Sequence, residues 1–203
     1  MGISMSFVQS LVNPYGVIAS AVNGVGSKLN MVVQVVTGAL QAATATFVGQ
    51  NMGARKPERA QRAVLWSALV GVVFGVAFMT ICLTMPKMVF GLFSSEADVL
   101  KLSVTYLQIA VWGYLAMALM GPSQGLMMGV GATKLSLFVS MMDGVVARIG
   151  LSVLFGTVIG LGLRGYWMGA VAAPYVSVAL GWSYFLAMRW KKKTLVEAVA
   201  GQD

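Results

Sequence analysis

A chain of 203 residues could make one or two soluble domains, but 58% hydrophobic and 10% charged residues, with a mean hydropathy of +0.82, exclude a water-solvated surface. Fourteen basic and six acidic side chains suffice only for ends and loops, so the composition describes an integral membrane protein. There is no histidine and one cysteine, Cys82, which excludes His-based catalytic pairs, His/Cys metal centres and an intrachain disulfide.

About 20 apolar residues cross a hydrocarbon core of about 30 Å, and the charged residues divide the chain into intervals of about that length. Residues 1–27 end at Lys28, 29–54 at Arg55, 63–86 lie between Arg62 and Lys87, and 102–133 lie between Lys101 and Lys134. Residues 135–163 then reach Arg164, and 165–188 reach Arg189. Continuous apolar runs without strand alternation predict helices, so the expected fold is all-α, a bundle of six transmembrane helices over 1–188 followed by a basic cytoplasmic tail at 189–203.

The first interval lacks the basic start and small-residue cleavage site of a signal peptide and is expected to be a span. Asn13-Pro14 and Gly16 predict a break or kink in it, and Gly121-Pro122 predicts another in the fourth interval, where a bent extension would lead to Lys134.

Nine Lys and Arg residues fall at one set of helix ends: Arg55, Lys56, Arg59, Arg62, Lys134, Arg189, Lys191, Lys192 and Lys193. Four fall at the other: Lys28, Lys87, Lys101 and Arg164. The positive-inside rule then places both termini in the cytoplasm of a multi-pass protein of the cell membrane. The net charge of +8 is thereby a topology signal, and no nucleic-acid partner is expected because no soluble platform carries the basic run. Trp66, Tyr166, Trp167 and Trp190 lie near span ends, where interfacial aromatics are expected, while Glu96 and Asp98 are expected to be solvated in a loop.

Polar side chains at membrane depth face a partner helix or a wet cavity. Ser6, Gln9, Asn13, Ser20 and Asn23 recur at helical spacing on the first span, and Asn30, Gln34, Thr37, Gln41 and Thr44 do so on the second. Two such stripes on adjacent spans make Gln9, Asn13, Asn30, Gln34, Thr37 and Gln41 candidates for the wall of a substrate cleft. Interhelical hydrogen bonding, worth about 0.6 kcal/mol per contact, is the alternative.

Asp143 and Arg148 are the only charges deep inside an interval, roughly 13 and 21 Å along a helix that starts at Lys134. Five steps of about 100° put them about 140° apart on an α-helix, so each is expected to meet a different neighbour. Asp143 is a candidate proton or cation relay, and a structural lock between helices is the other reading.

Val48-Gly49-Gln50-Asn51-Met52-Gly53-Ala54, followed by Arg55-Lys56-Pro57-Glu58-Arg59-Ala60, resembles a stretch of the multidrug and toxic compound extrusion (MATE) transporters at a cytoplasmic helix end. Gln124-Gly125-Leu126-Met127-Met128-Gly129-Val130-Gly131-Ala132-Thr133 is similar to the Gly-rich turn of that family, and Arg148-Ile149-Gly150-Leu151 lies in a span like the one after it. Ala132 stands where the turn usually has Asp, and the fourth interval lacks the carboxylate some branches use for ion coupling.

The resemblance covers nearly the whole chain and implies the second of two six-span lobes, either as a fragment or as a half-transporter. It further implies export of amphipathic or cationic organic compounds in exchange for Na+ or H+, without another cofactor. The expected partners are the bilayer, a small organic substrate, and a separate first lobe or a parallel second copy. Gly49, Gly53, Gly129 and Gly131 are expected to serve close helix approach and sharp helix exits. A non-transporting membrane scaffold and a lipid-linked sugar flippase of the same wider superfamily are the competing readings. A membrane-embedded enzyme lacks a nucleophile or metal cluster to accompany Asp143.

Overall fold

The computed structural model describes residues 2–188 together with Trp190 and Lys191. The rest of the expected 189–203 tail lies outside the described residues. A short helix α1 (Gly2–Val12) leads through a 3-10 turn (Asn13–Tyr15) into α2 (Val17–Gly53). The long helix α3 (Pro57–Thr84), the short α4 (Pro86–Gly91) and α5 (Ala97–Gly129) follow. The next span, Thr133–Val158, contains α6 (Thr133–Met141), a π segment (Met142–Ala147), α7 (Arg148–Val153) and a second π segment (Leu154–Val158). Helix α8 (Gly162–Leu186) completes the bundle.

The all-α, multi-pass architecture is the one expected, but five helices among the described residues are long and apolar enough to cross a membrane, not six. The difference lies at Lys28, which does not end a helix. Helix α2 runs through it for 37 residues, about 55 Å, so Lys28 projects sideways with its ammonium 5.3 Å from the centroid of the Phe93 ring. A lysine with a long apolar stem can reach an interface from within a helix, and an aromatic ring supplies a cation–π contact there. The first interval is interrupted where expected, at Asn13–Tyr15, with Gly16 at φ 99°. By contrast α5 continues through Gly121-Pro122 to Gly129 without a break.

Helix α5 is the hub, packing against α2, α3 and α8. Its glycines explain the close approach to α2. A methyl group on Gly121, Gly125 or Gly129 would come within 2.7 Å of the carbonyl oxygens of Thr37, Gln41 and Ala45 respectively. Small residues spaced by four thus let two backbones touch, which drives helix association where lipid offers no hydrophobic gain. At one end of the bundle Gly49 lies beside the Gly129 carbonyl, and Lys191 bonds Glu58 and Gln61 at the start of α3. At the other end Tyr15 meets Gly162 and Tyr166, and Lys28 meets Phe93.

The basic side chains divide accordingly. Arg55, Lys56, Arg59, Arg62, Lys134 and Lys191 cluster at the first end, and Lys28, Lys87, Lys101 and Arg164 at the second. Asp98 is exposed in the first turn of α5, pairing with Lys101 at 3.4 Å. The turns use left-handed backbone at Arg55 (φ 58°) and Gly131 (φ 73°), so Arg55 rather than Gly53 makes the sharp exit from α2.

Two apolar cores form. One, centred on Val22, Val33, Phe90, Leu107 and Tyr114, occupies the half near Tyr15. The other gathers Val48, Val64, Leu126, Phe185 and Trp190 near the basic end. Three of the expected interfacial aromatics are therefore core residues. Trp190 is completely buried and its indole donates to the Phe185 carbonyl at 3.1 Å, while Tyr166 and Trp167 belong to the first core. Trp66 alone of the four is exposed. Proximity to a charged run misassigned the other three, because each ring fills a gap between helices that sequence position does not display.

Candidate functional site

The polar residues of the first stripe converge across the chain break rather than along one helix. The Gln9 amide donates to Asn13 Oδ1 at 2.9 Å, the Ser20 hydroxyl donates to the same oxygen at 3.0 Å, and the Asn23 amide donates to Gln9 Oε1. The break makes this possible, since the 3-10 turn folds α1 back so that Gln9 reaches a residue 14 positions later. These four side chains bind one another, which is the interhelical hydrogen-bonding outcome.

The second stripe divides. Asn30 and Gln34 are half-buried and line a partly open cavity of about 60 Å³ bordered by α1, α2, α5, α7 and α8. Thr37 and Thr44 are instead buried, Thr37 against Gly121 and Thr44 against Gly125. Thr44 also donates to the Leu40 carbonyl at 2.6 Å and meets the Ser67 hydroxyl at 2.7 Å. Helical spacing placed them on one face with Asn30 and Gln34, but the approach of α5 covers that face from Thr37 onward. Gln41, half-buried beside this seam, donates to Met128 Sδ at 3.0 Å.

The main correction concerns the deep charges. Arg148 Nη2 lies 3.4 Å from Asp143 Oδ1, so the two form an ion pair within one span instead of meeting different neighbours. The π segment is the physical reason. In a π turn the bond closes from residue i+5, and here the Arg148 N–H donates to the Asp143 carbonyl oxygen itself. The residue five positions on therefore stacks over the first, where the α-helical angle would separate them. Both side chains are buried, with 1% of the Asp143 and 9% of the Arg148 side chain exposed. The pair is incompletely satisfied, because Asp143 Oδ2 and Arg148 Nε make no hydrogen bond.

Arg148 lines the same cavity as Asn23, Ser27, Asn30 and Gln34, and Trp167 closes another side. The Trp167 indole nitrogen is buried without a hydrogen-bond partner, its ring held edge-on at 5.1 Å from Tyr106. Ser27 falls at helical spacing between Asn23 and Asn30 but outside both stripes, and Trp167 has the sequence position of an interface residue. Gln124 forms a second buried polar cluster, accepting from Ser136 at 2.6 Å and donating to Ser140 at 3.3 Å. The only signal for Gln124 in the sequence was its place at the head of the Gly-rich stretch. Among the described residues no group of three Cys, Asp, Glu or His side chains could hold a metal.

At about 60 Å³ the cavity admits a few waters or a small ion, whereas sites for organic ligands run to about 300–1,000 Å³. Two larger grooves lie on the outside of the bundle. One of about 370 Å³ lies on α2 and α3 beside Phe47 and Trp66, and one of about 300 Å³ lies on α5 and α8 beside Trp112 and Tyr175.

Comparison with known proteins gives a consistent result. The MatE family model matches residues 2–162. Human multidrug and toxin extrusion protein 1 is 26% identical over 179 residues, covering 87% of this chain and 31% of the human protein. The probable multidrug resistance protein YoeA of Bacillus subtilis is 26% identical over 196 residues, covering 95% of this chain and 41% of its own length. The chain thus spans about a third to two fifths of these relatives. Among solved structures, an outward-facing multidrug resistance MATE family transporter superposes with a TM-score of 0.85 at 22% identity, over 94% of this chain and 44% of that one. A eukaryotic MATE transporter gives 0.83 at 23% identity, over 94% and 43%.

Proposed function

The chain belongs to the MatE family of membrane transporters, and on that premise we propose that it forms one lobe of a multidrug efflux antiporter, the second of two. The observation that carries this reading is coverage. Nearly all of this chain overlays on less than half of a MATE transporter. The substrates are amphipathic or cationic organic compounds, in keeping with the multidrug extrusion names of the relatives. Inward movement of Na+ or H+ drives their export. Catalysis of a covalent reaction has no part in it.

The cavity inside the lobe is too small for such compounds, so their cleft lies against a separate first lobe or a parallel second copy. Gln9, Asn13 and Gln41, together with Asn30 and Gln34 at the cavity edge, are the polar side chains we assign to its wall. Thr37, sealed under α5, contributes through packing. Of the two deep charges, Asp143 and Arg148 act as a pair, a lock within the span that an ion-coupled movement would have to loosen.

Flux tests this proposal. Co-expression of the chain with a MATE first lobe in cells lacking their own efflux pumps is expected to lower accumulation of a cationic dye, and to do so only while a Na+ or H+ gradient is present. Gln34→Ala and Gln41→Ala are expected to reduce that efflux without reducing the amount of protein in the membrane. Absence of flux from a folded two-lobe assembly would favour the scaffold reading. The mutual bonding of Gln9, Asn13, Ser20 and Asn23 is the observation that favours that alternative.

The lobe sits in the cell membrane with the basic end, and with it both terminal segments, toward the cytoplasm. With Cys82 replaced by alanine, a cysteine at Ser95 is expected to react with an impermeant maleimide added outside intact cells, and a cysteine at Lys56 only after the cells are opened. The reverse pattern would invert the proposed orientation.

A further inference from the structure

The basic end of the bundle carries charge that the protein does not neutralise. Glu58 is the only acid among the described residues at that end, and Lys191 takes it at 2.8 Å. Arg59 and Arg62 are exposed and make no ion pair among the described residues. They stand about 3 and 8 Å from the start of α3 at Pro57. Four residues after each, on the same helix face, come Ala63 and Trp66. These two side chains line the outer groove of about 370 Å³ between α2 and α3, opposite Leu40, Ala43 and Phe47.

The groove itself is apolar. Its two hydroxyls are engaged, since Thr44 donates to the Leu40 carbonyl at 2.6 Å and meets Ser67 at 2.7 Å. Along α3 it extends from Ala63 to Val70, about 9–20 Å from Pro57, which is acyl-chain depth when the two arginines lie among headgroups. A ligand that suits both parts has an anionic head and a hydrocarbon tail. Organic cations are repelled by the unpaired guanidinium groups, so this surface is distinct from the substrate cleft.

We propose that the α2–α3 groove binds one anionic glycerophospholipid, its phosphate held by Arg59 and Arg62 and an acyl chain laid between Phe47 and Trp66. Guanidinium groups suit phosphate because their N–H donors meet two of its oxygens at once. Basic pockets between membrane helices at the cytoplasmic side bind lipid headgroups in the same manner. The site does not depend on the transport reading. It requires charge and an open groove together, which separates it from the general attraction of a basic helix end to an anionic surface.

Native mass spectrometry of the full chain from mixed micelles provides the test, with palmitoyl-oleoyl phosphatidylglycerol and phosphatidylcholine present in equal amounts. The unmodified chain is expected to retain one phosphatidylglycerol with a preference of about tenfold. Arg59→Gln with Arg62→Gln is expected to retain the two lipids equally. Ala43→Trp fills the groove from an exposed position on α2 and keeps every charge, and it is expected to lower phosphatidylglycerol retention about tenfold through lost tail contact. Lys87→Gln with Arg164→Gln removes the same charge at the other end and is expected to bind as the unmodified chain does. Equal retention of both lipids by the unmodified chain, a reading that needs no variant to fold, overturns the proposal. A preference that survives the double arginine substitution overturns it as well. Normal retention by Ala43→Trp does the same, because the charged surface alone would then attract the lipid. In membranes, with Cys82 replaced by alanine, a cysteine at Ala63 is expected to stay uncrosslinked under oxidation. Disulfide-linked dimers through it would give the groove to a second copy of the chain instead of a lipid.

Discussion

Arg148→Leu is expected to destabilise the lobe by about 3–5 kcal/mol, the range for stripping one partner from a buried ion pair. The loss arises because Asp143 has only 1% of its side chain exposed, and Arg148 Nη2 is its one hydrogen-bond donor. The isolated carboxylate must then stay charged in a low-dielectric interior or take up a proton. Asp143→Leu carries a comparable penalty from the other side, since a guanidinium cannot shed its charge. The double substitution Asp143→Leu with Arg148→Leu removes both charges and is expected to recover most of the loss. Unfolding of the four proteins in mixed micelles closes a double-mutant cycle. A coupling energy near zero would mean that the pair contributes no net stability and that each group finds its own compensation.

Gly169→Val is expected to lower stability by about 3 kcal/mol or more, the upper end of overpacking costs, or to prevent α8 from docking. A Cβ at Gly169 would overlap backbone atoms of Leu151 and Ser152 in α7, and one at Gly165 would overlap the Phe155 carbonyl. Backbone cannot rotate aside as a side chain does, so even alanine has to push the helices apart. Gly24 and Gly53 are the internal controls. They also lie in a helix, yet nothing approaches within 4 Å of a Cβ there. Gly24→Ala is expected to be neutral or stabilising by about 0.5–1 kcal/mol through backbone entropy alone. Folding yield and unfolding midpoint in the same micelles check both halves of the comparison. A tolerated Gly169→Val would show that the α7–α8 crossing can widen at little cost.

Much of the candidate site was visible as residue types but not as partnerships. The polar stripe over Gln9, Asn13, Ser20 and Asn23 was marked by its spacing, and these side chains do come together. They do so around a turn, so their hydrogen-bonding capacity is spent largely on each other. Asn30, Gln34 and Thr37 shared one helical face on paper. Only the position of α5 separates the first two, at a cavity, from the third, in a seam. Trp167 carried a misleading signal because an aromatic near Arg164 satisfies the composition rule for a membrane interface, whereas its neighbours in space are Tyr106 and the cavity.

By itself the sequence determined that this protein is a membrane-embedded helical bundle, because a chain so poor in charge must satisfy its backbone polar groups internally once in lipid. It also determined most helix ends and the charge asymmetry between the two faces, since Arg55, Lys134 and Arg164 cannot be placed deep in hydrocarbon without a partner. Tertiary structure alone decided that Lys28 lies within α2, where an aromatic from the α4–α5 loop receives its charge. It alone decided that Asp143 and Arg148 pair. Reading a pattern at a fixed number of residues per turn presumes a regular helix, and the π segment at Met142–Ala147 changes that number at the position where the two charges sit. Which side chains meet across helices depends on backbone approach set by glycines in other spans, a relation between residues far apart in the chain that local spacing does not encode.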